Sequence, residues 1–412
     1  MSIAEIIFWV SAALIVYPYA VFPALVYLRG LLFPRPFRSA PVTPSVSMVM
    51  SVYNEENDIL ARLENIRQID YPAGRFEVVI ASDGSTDRTN EILQQYANDP
   101  DLGVPLTVLL LDRVGKAQAL NAAVAQAGGE ILVFTDANSL FAPDAVRKLV
   151  EPFADRAVGG VAGNQVYRSS KKNNLSESGE KSYWNFDRTL KTWESRAGNV
   201  ISATGSIYAV RRELVTPIID GVTDDFYTST AVIEQGYRLV FAPEAVSVEG
   251  VTPDAEKEFR RKVRIITRGL RAVAARRGLL NPFRYGFYAV QLFSHKVARR
   301  LVVFPLITAF ISNLFLLQSG LFYVLAAAAQ IAFYAAALLG FFARRSSRKI
   351  LKPVKIPFFF ALVNAASLVA AVNILRGNQI ASWVPHRAQK AGAAAAVASA
   401  AAGSGSETED FD

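Results

Sequence analysis

Acidic and amide side chains recur where the apolar runs of this chain stop. Ile131 to Phe134 is a short continuous apolar run that ends in Thr135-Asp136-Ala137-Asn138. Such a run suits a strand buried on both faces of a parallel sheet. An open α/β sheet takes its ligand outside the carboxyl ends of its strands. Asp136 and Asn138 are two residues apart, so they project on the same side, where a ligand sits. A carboxylate and an amide oxygen so placed suit a hard divalent cation, although Asp and Asn also serve in ordinary strand-end turns. Further on, Thr223-Asp224-Asp225 opens a helical stretch through Ile233, with Thr223 as its candidate N-cap. Paired carboxylates there oppose the helix dipole. Lys116 starts an Ala-rich helix, where a cation meets the positive end of the dipole and is disfavoured. That placement points to an external anion; a solvated surface lysine is the bland alternative.

The elements that must position these residues alternate. Strands are expected at Val46–Val52, Phe76–Ala81, Leu106–Leu111 and Ile131–Phe134, each followed by a turn and a helical pattern. The first strand ends in Tyr53-Asn54-Glu55-Glu56 and the second in Ser82-Asp83-Gly84-Ser85. The helix after the first strand has its apolar spacing at Leu60, Leu63 and Ile66. A helix is expected over Pro143–Phe153, and another over Tyr183–Ser195 carrying four aromatics. Further strands are expected at Val158–Val166, Ile207–Val210, Arg238–Ala242 and Ala245–Val248. The alternation predicts a mostly parallel, Rossmann-like α/β sheet with right-handed crossovers.

The composition narrows the chemistry. The 412 residues include no cysteine and two histidines, His295 and His386. Disulfides, thiolate metal sites and cysteine nucleophiles are excluded, and a histidine-rich zinc site has too few ligands. Mean hydropathy is +0.23, with the apolar excess at the two ends. Formal charge is +8, yet many of the basic residues flank apolar segments, which suits an anionic membrane surface over a nucleic acid.

Ile3–Leu28 is long enough to span a bilayer. Its basic residues Arg29, Arg35 and Arg38 follow the apolar run, which argues against a signal peptide and places the next domain on the cytoplasmic side. Pro18 and Pro23 are expected to kink this helix. After the soluble domain, Arg260 to Arg277 is dense in arginine, and Asn281–Arg300 reads as an amphipathic interface helix. Leu301–Leu317, Leu321–Phe342 and Ile356–Leu375 are further candidate spans, with a basic loop at Arg344–Lys355. The expected organisation is a transmembrane helix at 1–32 and a Pro-rich linker at 33–44. The soluble domain follows at 45–255, basic and interface helices at 256–300 and membrane helices at 301–376. A tail at 377–412 is disordered from about 391.

In order, Tyr53-Asn54-Glu55-Glu56, Ser82-Asp83-Gly84-Ser85, Gly115-Lys116, Asp136-Ala137-Asn138, Thr223-Asp224-Asp225 and Arg261-Lys262-Val263-Arg264-Ile265 resemble the motifs of membrane-integrated family 2 glycosyltransferases, whose catalytic domain has the GT-A fold. Cellulose, hyaluronan, poly-N-acetylglucosamine and chitin-oligosaccharide synthases belong to that group. The resemblance runs from about Ser45 to Arg300.

It implies a UDP-sugar donor, with Asp83 accepting a hydrogen bond from the uracil, Asn54 and Glu55 lining the nucleotide pocket, and Lys116 facing the diphosphate. Asp136 matches the first carboxylate of the Asp-x-Asp metal motif, which would hold Mg2+ or Mn2+. Here Asn138, a neutral ligand, stands at the second position. Asp225 matches the general base, with Asp224 beside it as the alternative base. Arg261 to Ile265 stands where the family has Gln-x-x-Arg-Trp. Arg264 matches the arginine that contacts the diphosphate, while Arg261 replaces Gln and Ile265 replaces Trp. The expected protein is a multi-pass inner-membrane enzyme with a cytoplasmic catalytic domain. It would move sugar with inversion to a polysaccharide or a lipid-linked acceptor, and the polymer route would need a dimer to build a channel. The competing reading is a non-catalytic membrane scaffold that retains nucleotide binding. A nucleic-acid partner is not expected.

Overall fold

The computed structural model describes residues 1–168, 187–250, 255–343 and 352–377. The polar stretch Lys171–Lys181, the aromatics Tyr183, Trp184 and Phe186, most of the Arg344–Lys355 loop and the tail from residue 378 lie outside them. The chain begins with α1 (Ile3–Val16), capped by a reciprocal Ser2–Glu5 box, and α2 (Phe22–Leu32). Pro18 and Pro23 do not break the rod. The backbone passes between the two helices through a π-helical turn at Tyr17–Val21, one of the adjustments that absorbs a missing N–H. Ile3–Leu32 therefore forms one apolar stretch of 30 residues, long enough to cross a membrane.

The central unit follows as β1 (Val46–Val52), α3 (Ile59–Arg67), β2 (Phe76–Asp83), α4 (Thr89–Ala97), β3 (Leu106–Leu111), α5 (Lys116–Gln126), β4 (Ile131–Phe134), β5 (Leu140–Phe141), α6 (Ala145–Val150), β6 (Val158–Arg168), α7 (187–197), β7 (Tyr208–Arg211), α8 (Asp224–Glu234) and β8 (Arg238–Gly250). The sheet order is β3-β2-β1-β4-β7-β6-β8-β5. The first four strands are parallel, with Val46 opposite Phe76 on one side and Ile131 on the other. Every residue of β1 is buried, because helices cover both faces. Met48, Met50, Ile80 and Val133 pack on α3, α4 and α6. Val49, Val79, Leu132 and Phe134 pack on α5 and α8. Alternate residues of each strand thus feed opposite cores.

The other half of the sheet is mixed. β7 runs antiparallel to β4 and β6, and β8 pairs parallel with β6. The two strands expected at Arg238–Ala242 and Ala245–Val248 are one strand, β8. Its ladder with β6 skips from Phe241 to Val246, because Pro243 has no N–H to offer. Asn164 Nδ2 instead donates to the Pro243 carbonyl at 2.8 Å.

The remaining helices are α9 (Ala255–Ala275), α10 (Pro282–Tyr285), α11 (Phe287–Leu292), α12 (Arg299–Leu301), α13 (Val303–Leu314), α14 (Leu321–Ala343) and α15 (Lys352–Leu375). Val263 and Ile266 of α9 pack on Ala366 and Ala370 of α15, so the arginine-rich helix lies against an apolar rod. The interface helix expected over Asn281–Arg300 is interrupted. Gly286, at φ 55, ends α10 in a conformation that a side chain would oppose. The stretch Phe287–Leu301 then bends by 51° into α13. Among the described residues three helices are long and apolar enough to cross a membrane, or four if that bent pair is one span. They flank the central unit, an arrangement that fits a membrane protein.

Candidate active site

The site assembles at the carboxyl edge of the parallel strands. Lys116 is the first residue of α5, and its ammonium bridges two carboxylates. It donates to Asp136 Oδ1 at 2.8 Å and lies 3.1 Å from Asp224 Oδ2. Asp136 stands just past β4, and Asp224 opens α8. Burial works against the lysine charge, but the two carboxylates outweigh it and hold its pKa above the ordinary value. The anion opposite Lys116 in this structure is therefore supplied by the chain itself. Lys116 is 18% exposed and Asp136 36%, so the pair remains open to a competing anion.

Asp225 lies beside this bridge. Burial and then the like charge of Asp224 push its carboxyl up to about 6, against the opposing pull of Lys296 and Lys116. Thr223 occupies the N-cap position of α8 without a side-chain bond. Asp225 Oδ1 instead accepts from the Phe226 N–H at 2.7 Å, which fixes that oxygen. Arg264, half-buried on α9, lies within the field of Asp136 and Asp224; burial and the neighbouring Arg268 and Arg261 lower its pKa. Arg261 itself pairs with the buried Glu258 at 2.8 Å. Ile265 is 37% exposed.

Asp83, Asn54 and Glu55 sit on the same sheet edge, around a separate set of contacts. Asp83 is fully buried at the end of β2. Its Oδ1 accepts from the Val114 and Gly115 N–H groups, both at 2.8 Å, and its Oδ2 pairs with Arg113. The guanidinium of Arg113 covers the Tyr53 ring at 3.4 Å. Gly84, at φ 68, admits this approach, since a Cβ there would stand 2.8 Å from the Arg113 nitrogen. Asp83 thereby fixes the loop that ends at Lys116. Asn54 adopts φ 52, left-handed backbone that non-glycine residues rarely take, and its Oδ1 accepts from the Thr86 N–H at 2.8 Å. The Glu55 N–H donates to Thr89 Oγ1 at 2.9 Å, and its carbonyl accepts from Asp58 and Ile59 at the start of α3.

Residues 47–218 match the glycosyl transferase family 2 model. The chain carries a family 2 glycosyltransferase domain. An N-acetylglucosaminyltransferase of Rhizobium meliloti (strain 1021) is 29% identical over 243 residues, covering 55% of this chain and 56% of that protein. Another from Bradyrhizobium diazoefficiens is 26% identical over 238 residues, covering 54% and 48%. The chain thus spans about half the length of the curated relatives it matches. Among solved structures, a mannosyltransferase from Pyrobaculum calidifontis in complex with GDP-Man and Mn2+ is 28% identical with a TM-score of 0.66. That match covers 90% of this chain and 99% of the mannosyltransferase, so it extends beyond the glycosyltransferase domain into the flanking apolar helices.

Two further groups in the domain grip the Asp136 loop, and neither stood out in the sequence. Arg62 of α3 is fully buried. It donates to the Ser139 carbonyl at 2.6 Å and to Asn65 Oδ1 at 2.9 Å, and its guanidinium lies 4.3 Å from the Phe141 ring centroid. Burial pulls its pKa down to about 9, with Asp136 opposing. Glu249 of β8 accepts from Ser139 Oγ and from Gln165 Nε2, both at 2.6 Å. Burial, then Asp136, push its carboxyl up to about 7. Ser139 thus joins a buried cation to a buried acid directly beneath the loop bearing Asp136 and Asn138.

The signals were present but weak. The buried stripe of α3 is Ile59, Arg62, Leu63 and Ile66, with Leu60 outside at 48% exposure. Arg62 therefore occupies an apolar position of the helical period. Glu249 falls in register with the buried Ala245 and Ser247 of its strand.

The donor set at Asp136 is sparse. Asn138 is exposed, and among the described residues no group of three His, Asp or Glu side chains stands at metal-binding spacing. Asp136 and Asn138 would suit a hard cation of the Mg2+ or Mn2+ kind only if most of its oxygens came from outside the protein. They do not fit a cation caged by protein alone.

Proposed function

We propose that this chain is an inverting glycosyltransferase that moves a sugar from a UDP-sugar to a polysaccharide or lipid-linked acceptor at the cytoplasmic face of a membrane. The observation that supports this most is the convergence of Lys116, Asp136, Asp224 and Asp225 from three separate elements. Asp225 accepts the proton of an acceptor hydroxyl. The freed oxygen forms a bond to the anomeric carbon as the bond from that carbon to the diphosphate oxygen breaks, which inverts the centre. General bases of this kind contribute about 10²–10⁴-fold. Lys116 and Arg264 receive the charge that develops on the diphosphate, and guanidinium suits that role through paired N–H donors. Asp136 and Asn138 would hold Mg2+ or Mn2+, whose contribution when bound is Lewis-acid neutralisation of the leaving group. Asp83, Asn54 and Glu55 line the nucleotide end.

Two donors are supported by different observations. The N-acetylglucosaminyltransferase relatives favour UDP-N-acetylglucosamine. The near-complete overlap with the mannosyltransferase, solved with GDP-Man, favours GDP-mannose. Asp83 could accept a ring N–H from uracil or guanine alike only once Arg113 releases its Oδ2, because the carboxylate is buried with both oxygens engaged here. A screen of nucleotide release by the detergent-solubilised full chain separates the two donors, run with UDP-N-acetylglucosamine, UDP-glucose and GDP-mannose, with and without Mn2+ or Mg2+. Cation-dependent release of one nucleotide, lost in Asp225→Asn, is expected. Binding of nucleotide with no release from any donor would establish the scaffold reading instead.

A further inference from the structure

A cavity of about 460 Å3 lies where the first apolar rod meets the glycosyltransferase domain. Arg29 and Arg35 border it from the end of α2 and the linker, Arg238 from the start of β8, and Arg284, Phe283 and Phe287 from the α10–α11 turn. It is not the donor site. Its wall from α8 is the C-terminal end, at Ile233 and Gly236, whereas Asp224 and Asp225 occupy the N-terminal end. The helix is 11 residues long, about 16 Å at 1.5 Å per residue.

Its cations lack anions. Among the described residues Arg29, Arg35 and Arg284 form no ion pair with a carboxylate. Arg238 donates to backbone carbonyls of Arg35, Pro36 and Gly198 at 2.7 to 3.0 Å. Arg29 is the telling residue. Its guanidinium lies over the Phe287 and Phe33 rings, at 5.0 and 5.6 Å. Its Nε is buried with no hydrogen-bond partner, so its charge is left to the outer guanidinium N–H groups. At the rim, Phe283 is 99% exposed on a four-residue helical turn that Gly286 closes. A phenyl ring fully in water is unfavourable, and with the neighbouring apolar rod in a bilayer it would dip into the headgroup and acyl boundary.

We infer that this cavity binds the phosphate of an anionic phospholipid. The headgroup sits among Arg29, Arg35 and Arg284, the phosphate oxygens meet the accessible guanidinium N–H groups of these arginines, and an acyl chain runs along α2 beside Phe283. This rests on the apolar helices being membrane spans and is independent of the donor reading. It gives the domain a fixed seat on the bilayer at a point remote from its chemistry.

The full chain, reconstituted in nanodiscs of mixed phosphatidylglycerol and phosphatidylcholine and then stripped by detergent, shows retained lipid by native mass spectrometry. Wild type is expected to retain phosphatidylglycerol over phosphatidylcholine. The Arg29→Gln/Arg35→Gln/Arg284→Gln variant should lose roughly a hundredfold of that retention, and millimolar inorganic phosphate should not displace the lipid. Arg284→Gln alone, on an exposed side chain, should lose part of it without a folding penalty. Equal retention of both lipids by wild type, or unchanged retention in both variants, overturns the inference. Displacement by inorganic phosphate overturns the lipid in favour of a free anion. Nucleotide release, measured on the same samples, should survive the arginine changes, so a failure here is distinguishable from a failure of the donor assignment.

Discussion

Two clusters of nearly identical residue types stand a short distance apart in this molecule. Lys116, Asp136, Asp224 and Asp225 form one at the sheet edge. Asp187, Lys191, Glu194 and His295 form the other, between α7 and the Phe293–Ala298 π-helix. In the first, the paired side chains are 18 to 36% exposed. In the second they are 0 to 11% exposed. Glu194 there spends one oxygen on His295 Nδ1 at 3.1 Å and the other on the Ile201 N–H at 3.0 Å. The second cluster is internally satisfied and sealed, so its charges hold α7 to the membrane-side helices. The first retains solvent contact and unspent acceptor capacity on Asp225. Ion pairs alone do not distinguish a site from a strut; residual exposure and an unspent oxygen do.

Substitutions should separate the clusters by readout. The largest expected effect is at Asp225→Asn, with a fall of about 10²–10⁴ in kcat and no loss of thermal stability. The folded-state pKa of Asp225 lies above its unfolded value, so its ionisation weakens the fold as pH rises through about 6. A neutral amide removes that cost, and the variant should unfold no more easily than wild type at pH 7 to 8. An equally large loss of stability would move Asp225 into the structural class. Next, Arg62→Met should cost about 10–100-fold in Mn2+ affinity, read by electron paramagnetic resonance of the free ion in the presence of nucleotide. Arg62→Lys, which cannot reach Ser139, Asn65 and Phe141 with one planar group, should not restore it. Unchanged affinity would show that Arg62 supports the core alone.

In the sealed cluster, Glu194→Leu strands the buried Ile201 N–H and should cost about 1–3 kcal/mol, measured as a lowered melting temperature of the detergent-solubilised protein. Nucleotide affinity in the fraction that stays folded should be unchanged. The smallest effect is a shift. Lys296 draws the Asp225 pKa down, so Lys296→Met should move the acid limb of the kcat profile to higher pH, with its plateau kept.

The parallel half of the sheet was legible because its strands are largely apolar runs that give way within two residues to Asp or Asn. The bounds of β1, β3 and β4 coincide with those runs. The mixed half was harder to read. β5 is two residues long, too short to show a period, and β8 carries a proline that reads as a break but is a bulge. Candidate site residues stood out when they lay at strand or helix ends, as Asp136, Asp225 and Lys116 do. Arg62 and Glu249 did not, because a charged residue on a core-facing position looks like an error in the period until its partners are seen. The interface helix expected over Asn281–Arg300 is interrupted at Gly286, where one glycine breaks the first turn from the rest, and it continues over Phe287–Leu301.

The most direct test of the account is the pH dependence of sugar transfer by wild type and Asp225→Asn, with nucleotide affinity measured on the same samples. Wild-type kcat should fall as pH drops through about 6 and stay level above it, while Asp225→Asn binds nucleotide normally and transfers almost nothing at any pH. If Asp225→Asn retained wild-type kcat and the same acid limb, the proton would go elsewhere and the assignment of the base would be wrong.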